Sequence, residues 1–152
     1  MSVKQYSLLD FALSITFKKR EYDIPVGGIG SYLGSIKVAK ATDNISKTVD
    51  ATGSGIFAYN HDHSGTIDIE ISQVSTKVGE IINQVMEYYQ SETEGKWKEA
   101  LISIVIKKNG KKVIDAPDCM LTKMPDLDIS PEAGMRVFSF AAIKIREFAI
   151  TY

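Results

Sequence analysis

Apolar and polar residues alternate along most of this chain. Phe11, Leu13, Ile15 and Phe17 are apolar, with Asp10, Ala12, Ser14 and Thr16 between them. That period of two predicts a half-buried strand. Ile36 and Val38 alternate with Ser35, Lys37 and Ala39. Ile45 and Val49 alternate around Lys47 with Ser46, Thr48 and Asp50. Ile67, Ile69 and Ile71 alternate with Thr66, Asp68, Glu70 and Ser72, and Ile102, Ile104 and Ile106 repeat the pattern. β-branched side chains fill these runs, as a pleated surface favours. Lys108-Asn109-Gly110-Lys111 predicts a type I′ hairpin, because Asn-Gly tolerates positive φ. Pairing outward from it sets Ile106 against Val113 and Val105 against Ile114. The closing stretch, Met135 to Ile150, reads as one unbroken strand. Phe138, Phe140 and Ala142 lie on one face, and Val137, Ala141, Ile143 and Ile145 on the other. A strand apolar on both faces needs cover on both, from its own domain or from a neighbouring subunit.

One segment has a different period. Val78, Ile81, Ile82, Val85, Met86 and Tyr89 form a single stripe of an amphipathic helix. Ser75 or Thr76 supplies a cap and Gly95 lies just past the end. The expectation is eight or nine mainly antiparallel strands, with one helix between the fifth and sixth. The segments Lys18 to Gly34 and Pro125 to Gly134 are expected as long contact loops. With no repeat and no linker, residues 1–152 are expected to form a single domain.

Composition narrows the function. The chain has 152 residues, 44% hydrophobic and 24% charged, with a formal net charge of −1. A protein that coats DNA by charge would be clearly basic. No apolar run approaches the ~18 residues that span a bilayer. Neither a charged n-region nor an apolar h-region is visible at the start. The single cysteine, Cys119, fits synthesis in a reducing cytoplasm.

Candidate chemistry is thin. His61 and His63 have metal-ligand spacing, but the sequence holds no third histidine. The run from Asn60 to Ile71 partly imitates a calcium loop, yet Ile71 stands where a bidentate glutamate belongs. The glycines of Pro25 to Ser31 lack dinucleotide or phosphate-loop spacing. Cys119 has no histidine near it in sequence, so no nucleophile is indicated. No acid–base pair stands out, so the expectation is a non-enzyme with no cofactor and no metal. Charge is segregated along the chain. Asn60 to Gly95 holds seven acids and one lysine, and Lys96 to Lys112 holds six lysines and one acid. Opposite patches of this kind suit self-assembly.

The order of the pieces resembles a known family. Ser64-Gly65-Thr66-Ile67-Asp68-Ile69-Glu70-Ile71-Ser72-Gln73-Val74-Ser75 leads from a strand through a cap into a helix ending Met86-Glu87-Tyr88-Tyr89-Gln90. This is similar to tail tube proteins of contractile-tailed (myovirus-type) phages. Tyr6 to Asp10, Asp50 to Tyr59 and Val137 to Ala142 resemble that family too. The same fold occurs in R-type bacteriocin tubes and in the haemolysin-coregulated protein of type VI secretion.

The resemblance implies an antiparallel β-sandwich or barrel with one flanking helix. It also implies hexameric rings that stack into a tube, each subunit giving about four strands to a shared lumen barrel. DNA would pass through the lumen without specific binding. The implied partners are further copies of the chain and the tail sheath, tape measure, baseplate and tail terminator proteins, in the virion after assembly in the host cytoplasm. Thr66, Asp68, Glu70 and Ser72 are expected to face the lumen. Phe138, Phe140, Lys108 and Lys111 are expected at contacts between subunits. The alternatives are a tube subunit of a tailocin or another contractile injection system, and a monomeric β-barrel ligand-binding module.

Overall fold

The alternating runs become strands because each can turn every second side chain into one shared core. The computed structural model describes residues 10–25, 33–72, 76–127, 129–132 and 134–150. The strands are β1 (Phe11–Phe17), β2 (Arg20–Pro25), β3 (Leu33–Lys40), β4 (Ile45–Val49), β5 (Gly55–Tyr59) and β6 (Gly65–Ser72). After helix α1 (Thr76–Tyr89) and a 3-10 turn over Lys96–Glu99 come β7 (Ile102–Lys108), β8 (Lys111–Leu121), β9 (Met135–Ala142) and β10 (Arg146–Glu147).

Eight strands form one antiparallel sheet in the order β2-β1-β7-β8-β9-β6-β3, with β10 beside β8. In the first half, Leu13, Ile15 and Phe17 of β1 pair with Ile106, Ile104 and Ile102 of β7. In the second half, Ile67 and Ile69 of β6 pair with Phe140 and Phe138 of β9, and with Val38 and Ile36 of β3. Side chains from both halves and from α1 belong to one core, so the sheet curls to face itself, as in a sandwich or barrel. Ile81, Ile82 and Val85 bury the stripe of α1 in that core. Tyr88 meets Phe17 edge to face at 5.5 Å, Gln84 donates to Tyr22 Oη at 2.8 Å, and Tyr89 donates to the Leu121 carbonyl at 2.7 Å.

Gly65 is set by a close approach. A Cβ there would collide with the Ala39 carbonyl oxygen and crowd Ile145. Asn109 and Gly110 both have positive φ, 50° and 82°, as a type I′ turn requires.

Several expectations need correction. Among the described residues there are ten strands, and the helix follows the sixth. The expected loop from Lys18 to Gly34 contains β2, in which Tyr22 and Ile24 are buried. The hairpin register holds at its tip, Lys108 with Lys111 and Lys107 with Lys112. It then shifts, so that Ile106 meets Ile114 and Val105 meets Asp115. Val113 is the extra residue of that bulge. Met135 to Ile150 is not continuous. β9 ends at Ala142, Ile143 turns outward and Ile145 turns into the core. The Ile143 and Ile145 N–H groups donate to the carbonyls of Asp118 and His63 instead of a regular ladder. The cap residue Ser75 and the glycines from 27 to 30 lie outside the described residues.

Candidate assembly surfaces

The pleat of β6 buries Ile67, Ile69 and Ile71 and turns Thr66, Asp68, Glu70 and Ser72 to the opposite face. Register extends this face across three strands. Lys37, Asp68 and Ser139 form one row, Ser35, Glu70 and Val137 the next, and Ala39, Thr66 and Ala141 a third. Ser35 donates to Glu70 Oε2 at 3.4 Å. The four residues expected to share a surface therefore do share one. Lys37 was not anticipated there. The alternation of Ser35, Lys37 and Ala39 carried that signal, but only the register shows which residue it meets. One lysine and two acids leave these three rows with a formal charge of −1.

The four residues expected at subunit contacts divide differently. Phe138 and Phe140 point into the subunit's own core, 6% and 2% exposed, against Ile69 and Ile67. The open side of β9 carries Val137 instead, 47% exposed. Lys108 is 7% exposed, because the alternation of β7 continues through it and turns it to the core side. Lys111 remains exposed beside the turn. The lysine-rich run is also partly spent within the chain. Lys96 pairs with Glu99 at 3.0 Å and lies 5.0 Å from the Tyr88 ring centre. That carboxylate raises the Lys96 pKa. Lys112 reaches Asp115 at 3.7 Å.

A further surface was missed. β4 and β5 form a separate two-stranded sheet whose ten strand residues are all exposed. Pairing of Ile45 with Tyr59, Lys47 with Phe57 and Val49 with Gly55 puts the apolar residues on one side around a central lysine. Ile56 lies on the other side. The turn is closed by Asp50, whose carboxylate accepts the Thr52 hydroxyl at 2.6 Å and the Thr52 and Ser54 N–H groups at 2.9 and 3.0 Å. These bonds, the Thr52 hydroxyl foremost, hold the Asp50 pKa below its usual value. At the base, Asn44 Nδ2 donates to the carbonyls of Asn60 and Asp62, both at 2.9 Å. The arm is therefore tied at its tip and its base, and all of its strand residues are exposed.

The residues weighed for chemistry have structural partners. His63 Nε2 lies 2.9 Å from Tyr59 Oη, and the His61 ring meets Tyr59 edge to face at 4.6 Å. Asp62 accepts the Ser64 N–H at 2.9 Å, as in an Asx-turn. Hydrogen bonding to Ser64 lowers its pKa. Burial pushes the Cys119 thiol up to about 12, which leaves almost no thiolate at neutral pH. Among the described residues, no group of three or more histidine, cysteine or acidic side chains is placed to hold a metal.

Comparison with known proteins agrees with this architecture. A chain of the anti-feeding prophage baseplate aligns over 100% of both chains, with a TM-score of 0.59 and 13% identity. A chain of the anti-feeding prophage tube-terminating cap aligns over 96% of this chain and 93% of its own, at 0.57 and 13%. A chain of the sheath–tube complex of the extracellular contractile injection system PVC aligns over 96% and 93%, at 0.52 and 13%. At that identity the likeness is one of fold. No curated protein sequence matches the chain. The profile of the family described as "Bacteriophage PhiTE tail tube protein" matches residues 3–149. That span is nearly all of the sequence, and the chain belongs to this phage tail tube family.

Proposed function

We propose that the chain is the repeating subunit of an inner tail tube, stacked as hexameric rings around a bore through which phage DNA passes. The observation that carries this reading is the outward face of β3, β6 and β9. Small and hydroxyl side chains there, with a near balance of charge, cover strands whose inner face is mainly apolar, Arg136 of β9 excepted. Such a face neither sticks to a sliding polyanion nor repels it strongly.

With the end of β8, each subunit has four strands to give to a shared barrel. Twenty-four strands at ~4.8 Å spacing and ~40° tilt make a circumference near ~150 Å. The backbone diameter is then about 48 Å, leaving about 38 Å inside the side chains, enough for a duplex and its water. Sheath, tape measure, baseplate and terminator proteins are its partners in the virion, after assembly in the host cytoplasm. The role requires no reaction. Negative-stain electron microscopy of the purified protein is expected to show rings or tubes. Featureless monomers at all concentrations would falsify the reading.

The fold likeness to anti-feeding prophage and PVC chains favours a second reading, the tube of an extracellular injection system or tailocin. Purified particles distinguish the two, since a phage tail tube is attached to a DNA-filled capsid and the alternative is not.

A further inference from the structure

The two ends of β9 carry opposite charge. Its last residues lie beside the start of β6 and the end of β3, since Gly65 pairs with both Ala142 and Lys40. A pocket of about 280 Å³ opens there, lined by Lys40, Lys144, Arg146, Glu147 and Phe148 among others. Three cations stand against one carboxylate, and the Phe148 side chain is half exposed. The Ile145 N–H donates to the His63 carbonyl at 2.8 Å and fixes this stretch to the sheet. The other end of β9 follows the segment 125–134, which has three acids and no basic residue. Asp126 and Glu132 are exposed on it, and Leu127 and Ile129 are 60% and 86% exposed. Arg136 Nη2 donates to the Pro125 carbonyl at 2.7 Å, and Ser130 Oγ to the Glu132 carbonyl at 2.9 Å, so the segment is held in shape. Among the described residues, none of Lys40, Lys144, Arg146, Asp126 and Glu132 has an ion-pair partner.

We propose that the acidic 125–134 segment of one subunit seats in the basic pocket of a second copy displaced along the strands, in the next ring of the stack. Ile129 packs on Phe148, and Asp126 and Glu132 pair with Lys40, Lys144 and Arg146. The inference rests on the tube reading and names a contact between its rings. The subunit's own pocket does not serve, because the eight residues of β9 put about 24 Å between the two ends. The exposed acids of α1, Glu80 and Glu87, are a poorer match, since Ile81, Ile82 and Val85 beside them are spent on the core. Both surfaces sit at strand ends, so the face proposed to line the bore stays open. Segment and pocket are different surfaces of one chain, and their union is head-to-tail. Displaced along the strands, such a contact does not close on itself and runs on as a filament. Exposed ion pairs add little each. The apolar contact therefore supplies the adhesion and the charges fix which ends meet.

Charge reversal and cross-linking test the contact. Lys144→Glu with Arg146→Glu should leave folded subunits that still close rings by electron microscopy, while the yield of stacked tubes falls roughly tenfold. Adding Asp126→Lys and Glu132→Lys to that protein should restore most of the tubes, because the pairing is then reversed rather than lost. In parallel, Ile129→Cys and Phe148→Cys proteins are made separately, mixed, allowed to assemble and treated with a short bismaleimide. Both positions are exposed, so the fold should survive, and buried Cys119 does not compete. A cross-linked dimer should form in the mixture and be absent from either variant alone. Tubes in the mixture that do not cross-link, or normal stacking by the charge-reversed protein, would overturn the inference while the tube reading stands. Folded charge-reversed subunits that fail to close rings would overturn it too, by placing the pocket between neighbours within a ring. If the parent protein forms neither rings nor tubes, the tube reading fails and the contact with it.

Discussion

Lys37 of β3 lies directly opposite Asp68 of β6, on the face turned away from the core. Their charges cancel to first order at any distance beyond a few ångströms. In the proposed bore, the field of each ring then comes mainly from Glu70, so DNA meets a weakly negative wall. Replacing Lys37 by Ser should leave assembly intact and keep ejection fast. Changing Asp68 and Glu70 together to Lys would put three lysines on this face and should slow ejection severalfold at low salt, the defect easing as salt rises. Ejection kinetics of well-formed variant particles across a salt series measure this. Salt-independent kinetics in the lysine variant would separate this face from DNA.

Gly65 offers a test of the fold itself. A methyl group there meets the Ala39 carbonyl, a backbone atom that moves only if β3 and β6 part. Gly65→Ala is expected to cost about 1–3 kcal/mol, as overpacking does, with a lower melting temperature by calorimetry. A variant as stable as the parent would mean that the two strands separate more easily at that end than the contact implies.

Cys119 should be nearly silent to thiol reagents. Burial holds its pKa near 12, and the fully buried sulfur lies 3.5 Å from the Ala116 carbonyl. Labelling at pH 8 should go to completion only in denaturant, with native labelling at least a hundredfold slower. Rapid native labelling would show that this end of β8 opens readily.

Asp50 makes the tip of the arm sensitive to acid. Hydrogen bonds to its ionised form lower its pKa in the folded chain below the ordinary 3.8. Its contribution is therefore fully present above the unfolded value and is lost as pH falls through the lower folded value. Limited proteolysis should find the 51–54 turn protected at neutral pH and open only well below pH 4. Asp50→Ala should expose it at every pH. Equal cleavage of both proteins at pH 7 would show that the carboxylate does not hold the turn.

The fold was legible where three or more large apolar residues recur on one face. Leu13, Ile15 and Phe17, and likewise Ile67, Ile69 and Ile71, admit one orientation, because a slip of one residue would put three large side chains in water. The stripe of α1 was legible for the same reason at its own period. β2 was not, since Tyr22 and Ile24 stand among Arg20, Glu21 and Asp23, a density of charge that reads as a loop. The burial of Lys108 was hidden by its chemistry, although the alternation from Ile102 continues straight onto it. That Thr66, Asp68, Glu70 and Ser72 share the face of β6 away from the core followed from the pleat alone. Lys37 opposite Asp68 did not, because pairing between β3 and β6 spans the whole arm between them. The exposure of the arm was hidden because a strand patterned to face a core reads the same as one that stands free of it.

β9 shows where that ambiguity matters, and substitution on its two faces should separate folding from assembly. Phe138 and Phe140 fill the subunit's own core, so an aspartate at either position would bury an unpaired carboxylate. Such proteins should be unfolded or insoluble as single chains, losing roughly 3–5 kcal/mol, as large core truncations do. Val137 is on the other face, half exposed and in register with Glu70. Val137→Asp should leave the monomer folded, with a circular dichroism spectrum and melting temperature close to the parent's. It places a second carboxylate beside Glu70 on the face proposed to line the bore, repeated in every subunit of the proposed ring. Like charges at that spacing repel, so rings should form less readily at low salt and recover as salt screens them. If Phe138→Asp gave folded monomers that failed only in assembly, the phenylalanines would be contact residues after all. If Val137→Asp unfolded the monomer, the outward face of β9 would be part of the core.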